Sequence, residues 1–154
     1  MTERNASKDR ADILLVEDNP GDIRLTREAF QESQITNELH VVTDGVEALD
    51  FLHKDGEYTD APRPDIILLD LNLPRKNGNE FLKELHEDSP DLAWIPVIIL
   101  TSSKTEEDIV QSYELQANAY MTKPVDPMEF IQTIQSFKSF WLEGVRLPPS
   151  EDQS

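Results

Sequence analysis

A chain of 154 residues with 31 acidic and 14 basic side chains, formal charge -17, is long enough to bury one full core and too acidic to grip a phosphate backbone. That excludes DNA and RNA as direct partners, and the absence of cysteine excludes disulfides and thiolate-held metals. No apolar run approaches the roughly 20 residues that span a bilayer, and residues 1–10 lack the apolar stretch of a secretion signal, so a cytoplasmic protein without membrane contact is expected.

In chain order, residues 1–10 read as a disordered lead. The first strand is expected over 12–17, where the apolar run Ile13, Leu14, Leu15, Val16 closes in Glu17 and Asp18. A helix follows at 21–33, then a strand at 39–43 and a helix at 45–53. The stretch 54–62, rich in Asp, Gly and Pro, reads as a surface loop without evident chemistry. A third strand at 65–70 runs Ile66, Ile67, Leu68, Leu69 into Asp70, and a turn at Asn77 and Gly78, with positive φ expected at the glycine, opens a helix at 79–88. Next come a strand at 97–101, a helix at 105–117 and a short strand at 119–122. The last helix, 127–142, starts on Asp126 as N-cap with Pro127 in the first helical position. In it Phe130, Ile134, Phe137 and Trp141 make one narrow core face, which leaves Ile131 and Phe140 as exposed apolar residues and a candidate partner patch. Residues 143–154 read as a disordered tail, so 11–142 is expected to be the one folded domain. Strands alternating with helices predict right-handed βαβ units, hence a doubly wound α/β protein with a five-stranded parallel sheet. The acid is spread along the whole chain and lysine is scarce, a balance that suits either adaptation to concentrated salt or an ordinary acidic cytosolic protein.

If the first and third strands are neighbours, Glu17, Asp18 and Asp70 converge at the sheet edge where open α/β folds hold ligands. Uncompensated carboxylates repel, so the cluster implies a bound cation or a raised pKa, and the cation is the better reading. Taken singly, each residue has a plainer role. Asp70 can cap the next turn, and Glu17 and Asp18 can be a solvated turn before a helix whose dipole favours Asp22. Thr101 can be core or cap, Tyr120 packing, and Lys123 an exposed strand end. His40, His53 and His86 show no ligand spacing and receive no role.

Together, Val16-Glu17-Asp18-Asn19, Leu69-Asp70-Leu71-Asn72-Leu73-Pro74, Thr101-Ser102 and Lys123-Pro124, each closing a strand, resemble the receiver domain of two-component response regulators over residues 11–142. The loop around Glu57 and Arg63, and the ending Phe140-Trp141-Leu142-Glu143 into Leu147-Pro148-Pro149, further resemble stand-alone receivers of the cyanobacterial-phytochrome type. The resemblance implies a (βα)5 flavodoxin-like fold with strand order 2-1-3-4-5, and a phosphoryl group accepted on Asp70 from a sensor histidine kinase, phytochrome-like for the narrower match. It implies Mg2+, or Mn2+ in its place, held directly by Asp18, Asp70 and the backbone carbonyl of Asn72, and through water by Glu17. Lys123, in a bond to Pro124 that is typically cis in this family, would neutralise the phosphoryl oxygens. The Thr101 hydroxyl and the Ser102 N–H would join it, and Tyr120 would move inward as the switch. Asn72 and Ser103 would line the water path that sets the phosphoryl lifetime.

Output is expected through the face of the fourth helix, fifth strand and fifth helix, to a downstream protein, a histidine phosphotransfer protein or a second copy in a homodimer. No output domain is expected after the last helix. No turnover is expected beyond self-phosphorylation from small donors and self-dephosphorylation. A relay shuttle or phosphate sink is the alternative within signalling. Outside it stand a Mg2+-dependent phosphatase with Asp70 as nucleophile, which commonly has a second acid where this chain has Asn72, and a flavodoxin-like cofactor binder, for which Asn19-Pro20-Gly21-Asp22 is too acidic to cradle phosphate.

Overall fold

Apolar residues at every position of a strand, rather than at every second one, mark a strand covered on both faces. The computed structural model of the chain describes residues 11–32, 37–70, 78–88, 91–92, 95–101 and 119–134. Within them β1 (Ala11–Val16), β2 (Asn37–Val42), β3 (Ile66–Asp70), β4 (Val97–Thr101) and β5 (Ala119–Thr122) form one parallel sheet in the order β2-β1-β3-β4-β5. This is the expected fold class and strand order. The helices described are α1 (Pro20–Glu32), α2 (Gly45–His53), α3 (Gly78–Asp88) and α4 (Pro127–Ile134). The expected helix at 105–117, the lead, the tail, Phe137, Phe140 and Trp141 lie outside the described residues.

Side chains alternate across the sheet, so each unbroken apolar run feeds two cores. Ile13 and Leu15 of β1, Ile66 and Leu68 of β3, and Ile98 and Leu100 of β4 pack with Ala29 and Phe30 of α1 and Phe130 of α4. Leu14 and Val16, Ile67 and Leu69, and Val97 and Ile99 point the other way, onto Leu49 and Leu52 of α2 and Phe81, Leu82 and Leu85 of α3. The sheet is therefore wound on both sides. Phe30 and Phe130 meet edge to face with centroids 4.5 Å apart, which ties α1 to α4.

Two expectations change. The stretch 54–62 holds a 3-10 turn, Gly56–Tyr58, instead of a plain loop. Lys54 takes the left-handed conformation, φ 59°, to end α2, and its N–H donates back to carbonyls of Asp50 and Phe51. The Tyr58 ring then lies 5.4 Å from that of Phe51, and its hydroxyl donates to Glu47 Oε2 at 3.1 Å. Burial first, and then the Glu47 carboxylate, push the Tyr58 phenol up to about 12. Second, Ile131 is half-buried against the core, and among the described side chains of α4 the exposed large apolar one is Met128. A core-facing helix needs an apolar stripe about 100° wide or more, and the narrow stripe drawn from Phe130 underestimated it.

The N-terminal edge of the sheet carries a polar cluster with no sequence signal. Asp65 Oδ2 accepts the Asp12 N–H at 2.7 Å, and His40 Nε2 lies 3.1 Å from Asp12 Oδ1, with both carboxylates buried. His40 thus has a structural partner, although its spacing gave no hint of one. Because a buried donor loses its acceptor, Asp65→Ala should lower unfolding free energy by about 1–3 kcal/mol in urea titrations. An unchanged midpoint would show that this bond contributes nothing.

Candidate functional site

Parallel register decides what meets at the C-terminal edge. Val16 pairs with Leu69, so Glu17 is level with Asp70, and Asp70 and Thr101 stand opposite Leu100 and Thr122. Backbone hydrogen bonds carry the ladder one step further at both ends of the site, from Glu17 N–H to the Val42 carbonyl at 3.0 Å and from Lys123 N–H to the Thr101 carbonyl at 2.8 Å. Four functional positions therefore sit along one line.

The turn after β1 is built by its own residues. Asn19 caps α1, accepting the Asp22 N–H on Oδ1 at 2.9 Å, while Pro20 takes the first helical position, where no donor is needed. The Asn19 N–H in turn donates to Glu17 Oε2 at 3.2 Å. Glu17 and Asp70 are buried and Asp18 is exposed, and one carboxylate oxygen from each of the three lies within 4.8 Å of the others. A donor set of oxygen atoms only, at this spacing, fits a hard divalent cation.

Lys123 completes the cluster. Its Nζ donates to Glu17 Oε1 and to Asp22 Oδ2, both at 2.9 Å, and lies 3.5 Å from Asp70 Oδ2. The Lys123-Pro124 peptide bond is cis. Burial raises the Glu17 carboxyl to about 7; the Lys123 hydrogen bond opposes that, and the charge of Asp70 adds to it. A divalent cation here would act against the first and third of these effects. Burial disfavours the Lys123 ammonium, yet its hydrogen bonds to Glu17 and Asp22 outweigh that and hold the group above its ordinary range.

Thr101 is fully buried, and its Oγ1 donates to the Met121 carbonyl at a long 3.4 Å. Tyr120 is half-buried and packs on the sheet face that carries α2 and α3. Asn72, Ser102 and Ser103 lie outside the described residues. The sequence reading did not place Asp22 in the site. The available signal was its position: third in a helix whose cap stands three residues past the end of β1.

The family model for the response regulator receiver domain matches residues 13–135. The chain belongs to the response regulator receiver family. This receiver is 48% identical over 136 residues to response regulator Rcp1 of Synechocystis, covering 88% of this chain and 92% of that one. Its fold is similar to the bacteriophytochrome response regulator AtBRR, with TM-score 0.78 and 42% identity over 94% of this chain and 99% of that one. It is also similar to the phosphorylated cyanobacterial phytochrome response regulator RcpA, with TM-score 0.67 and 46% identity over 91% and 99%. The Mn2+-bound form of Rcp1 matches with TM-score 0.66 and 47% identity over 90% and 99%, in accord with divalent-metal binding by the receiver's carboxylates. With the family established, neither a phosphatase nor a cofactor binder is needed to account for the chain.

Proposed function

We propose that Asp70 is the phosphoacceptor of this receiver, with a sensor histidine kinase as donor. The observation that carries this is the pairing of two opposite devices on one buried carboxylate: Asp70 shares a cation-sized cluster with Glu17 and Asp18, and has Lys123 Nζ 3.5 Å from its Oδ2. An Asp70 oxygen forms a bond to phosphorus as the bond from phosphorus to the donor nitrogen breaks, the electron pair leaving with the imidazole. The product is a mixed anhydride. Mg2+, held directly by Asp18 and Asp70 and through water by Glu17, would supply neutralising charge for the transfer. Lys123 neutralises the remaining phosphoryl charge as a point cation.

Thr101 and Tyr120 then convert charge into shape. A 3.4 Å hydrogen bond is weak, so Thr101 Oγ1 readily leaves the Met121 carbonyl for a phosphoryl oxygen. As Thr101 is drawn to the phosphoryl group, the half-buried Tyr120 ring moves inward as the switch. A phytochrome-like kinase is supported by the likeness to RcpA. A cytoplasmic setting accords with a kinase donor; among the described residues no helix is long and apolar enough to cross a membrane.

The test is direct. Mg2+ with acetyl phosphate should add one phosphoryl group per chain by intact mass, and chelation should abolish the uptake. Equal uptake with the cation removed would overturn the metal-assisted reading.

A further inference from the structure

Asp22 stands outside the carboxylate trio, yet it makes one of the two shortest contacts to Lys123. Its contribution to α1 runs through its backbone: the N–H donates to the Asn19 cap at 2.9 Å and the carbonyl accepts the Thr26 hydroxyl at 2.8 Å. The side chain is left for Lys123, the partner it has among the described residues, and one third of it is exposed.

An ammonium has three donors. Two are taken at 2.9 Å by Glu17 and Asp22, on the β1 and α1 side, and the Asp70 oxygen stands off at 3.5 Å. Beside the buried Glu17 and Asp70 carboxylates, a lysine with fewer anchors would close on the nearest remaining one, because ion pairing strengthens as water is excluded. That carboxylate is Asp70. A lysine paired tightly with Asp70 would occupy the oxygen that must attack phosphorus and would weaken it as a nucleophile.

We propose that Asp22 is a positioning residue for phosphotransfer, holding Lys123 off the Asp70 oxygen in the resting receiver while keeping it within reach of the incoming phosphoryl group. The proposal rests on Asp70 being the phosphoacceptor. Asp22 draws on the same turn that carries the metal carboxylates: Asn19 fixes the start of α1, and the start of α1 fixes where Asp22 can reach. Helix capping and lysine placement are thus set by one short segment, residues 17–22.

Two measurements on Asp22→Ala and Asp22→Asn decide it. In metal-free protein labelled with 15N-lysine, the Lys123 ammonium signal, assigned with Lys123→Arg, should be protected from solvent exchange in the wild type, shifted but still protected in Asp22→Ala as the ammonium closes on Asp70, and shifted less in Asp22→Asn. With Mg2+ and acetyl phosphate, the labelling rate should fall about tenfold in Asp22→Ala and less in Asp22→Asn, since small misplacements of a reacting group are costly in rate. An unchanged lysine signal overturns the proposal even if labelling slows, because the effect would then come through helix α1. A changed signal with wild-type labelling rates overturns it as well. A wild type that takes no label defeats the Asp70 reading instead, and the two failures are distinguished because the signal is read without donor or metal.

Discussion

Asp70→Asn takes up no phosphoryl group under conditions that label the wild type fully, a loss on the order of 10³-fold or more in rate. The substitution keeps the shape of the side chain and removes its charge. An amide oxygen is a poor nucleophile and cannot form the stable anhydride a carboxylate forms. The site around it should survive, since Asp70 ends β3 and its position is set by pairing with Leu100 and by the apolar residues before it. Removing one of three clustered carboxylates also relieves repulsion with Glu17, so thermal stability without metal should not fall. Intact mass after incubation with acetyl phosphate and Mg2+ reads the outcome, with circular dichroism confirming the fold. Equal labelling of variant and wild type would move the acceptor elsewhere.

Lys123→Met should destabilise the metal-free protein by about 3 kcal/mol, the lower end of what breaking a buried ion pair costs. Lys123 is the cation that Glu17, Asp22 and Asp70 share, and two of those carboxylates are buried. Methionine preserves the packing of the lysine stem, so the loss reports charge more than volume. The lower end is expected because Glu17, already pushed toward its neutral form by burial, can take up a proton and limit the repulsion. A divalent cation should restore most of the loss, as it answers the same carboxylates. The rise in thermal midpoint on adding Mg2+ should therefore be larger in Lys123→Met than in the wild type. Urea titrations with chelator and with Mg2+ measure both effects; equal stability of variant and wild type in chelator would mean that lysine and carboxylates are not coupled.

Much of this receiver was determined locally. Four-residue apolar runs closed by a polar residue suited strands buried on both faces, and alternation with helical stretches allowed few topologies; β3 and β4 then ended at Asp70 and Thr101, as read. The family motifs at Glu17, Asp18, Asp70, Thr101 and Lys123 were legible because each sits at a strand end, a position that the hydrophobic pattern marks. What the chain alone did not reveal depends on contacts between distant elements. Asp22 meets Lys123 across 101 positions of sequence, and His40 meets Asp12 across 28. Neither pair has a spacing that marks it, because each arises from the register of parallel strands and the angle at which a helix leaves the sheet. The same cause explains Ile131 and Tyr58, one drawn into a stripe wider than helical periodicity drew it and the other tied by a turn to α2. The sequence by itself determined which residues carry charge at the strand ends; only the tertiary structure decided which carboxylates Lys123 serves, since an ion pair is set by distance in space and burial, and neither is a property of the chain taken residue by residue.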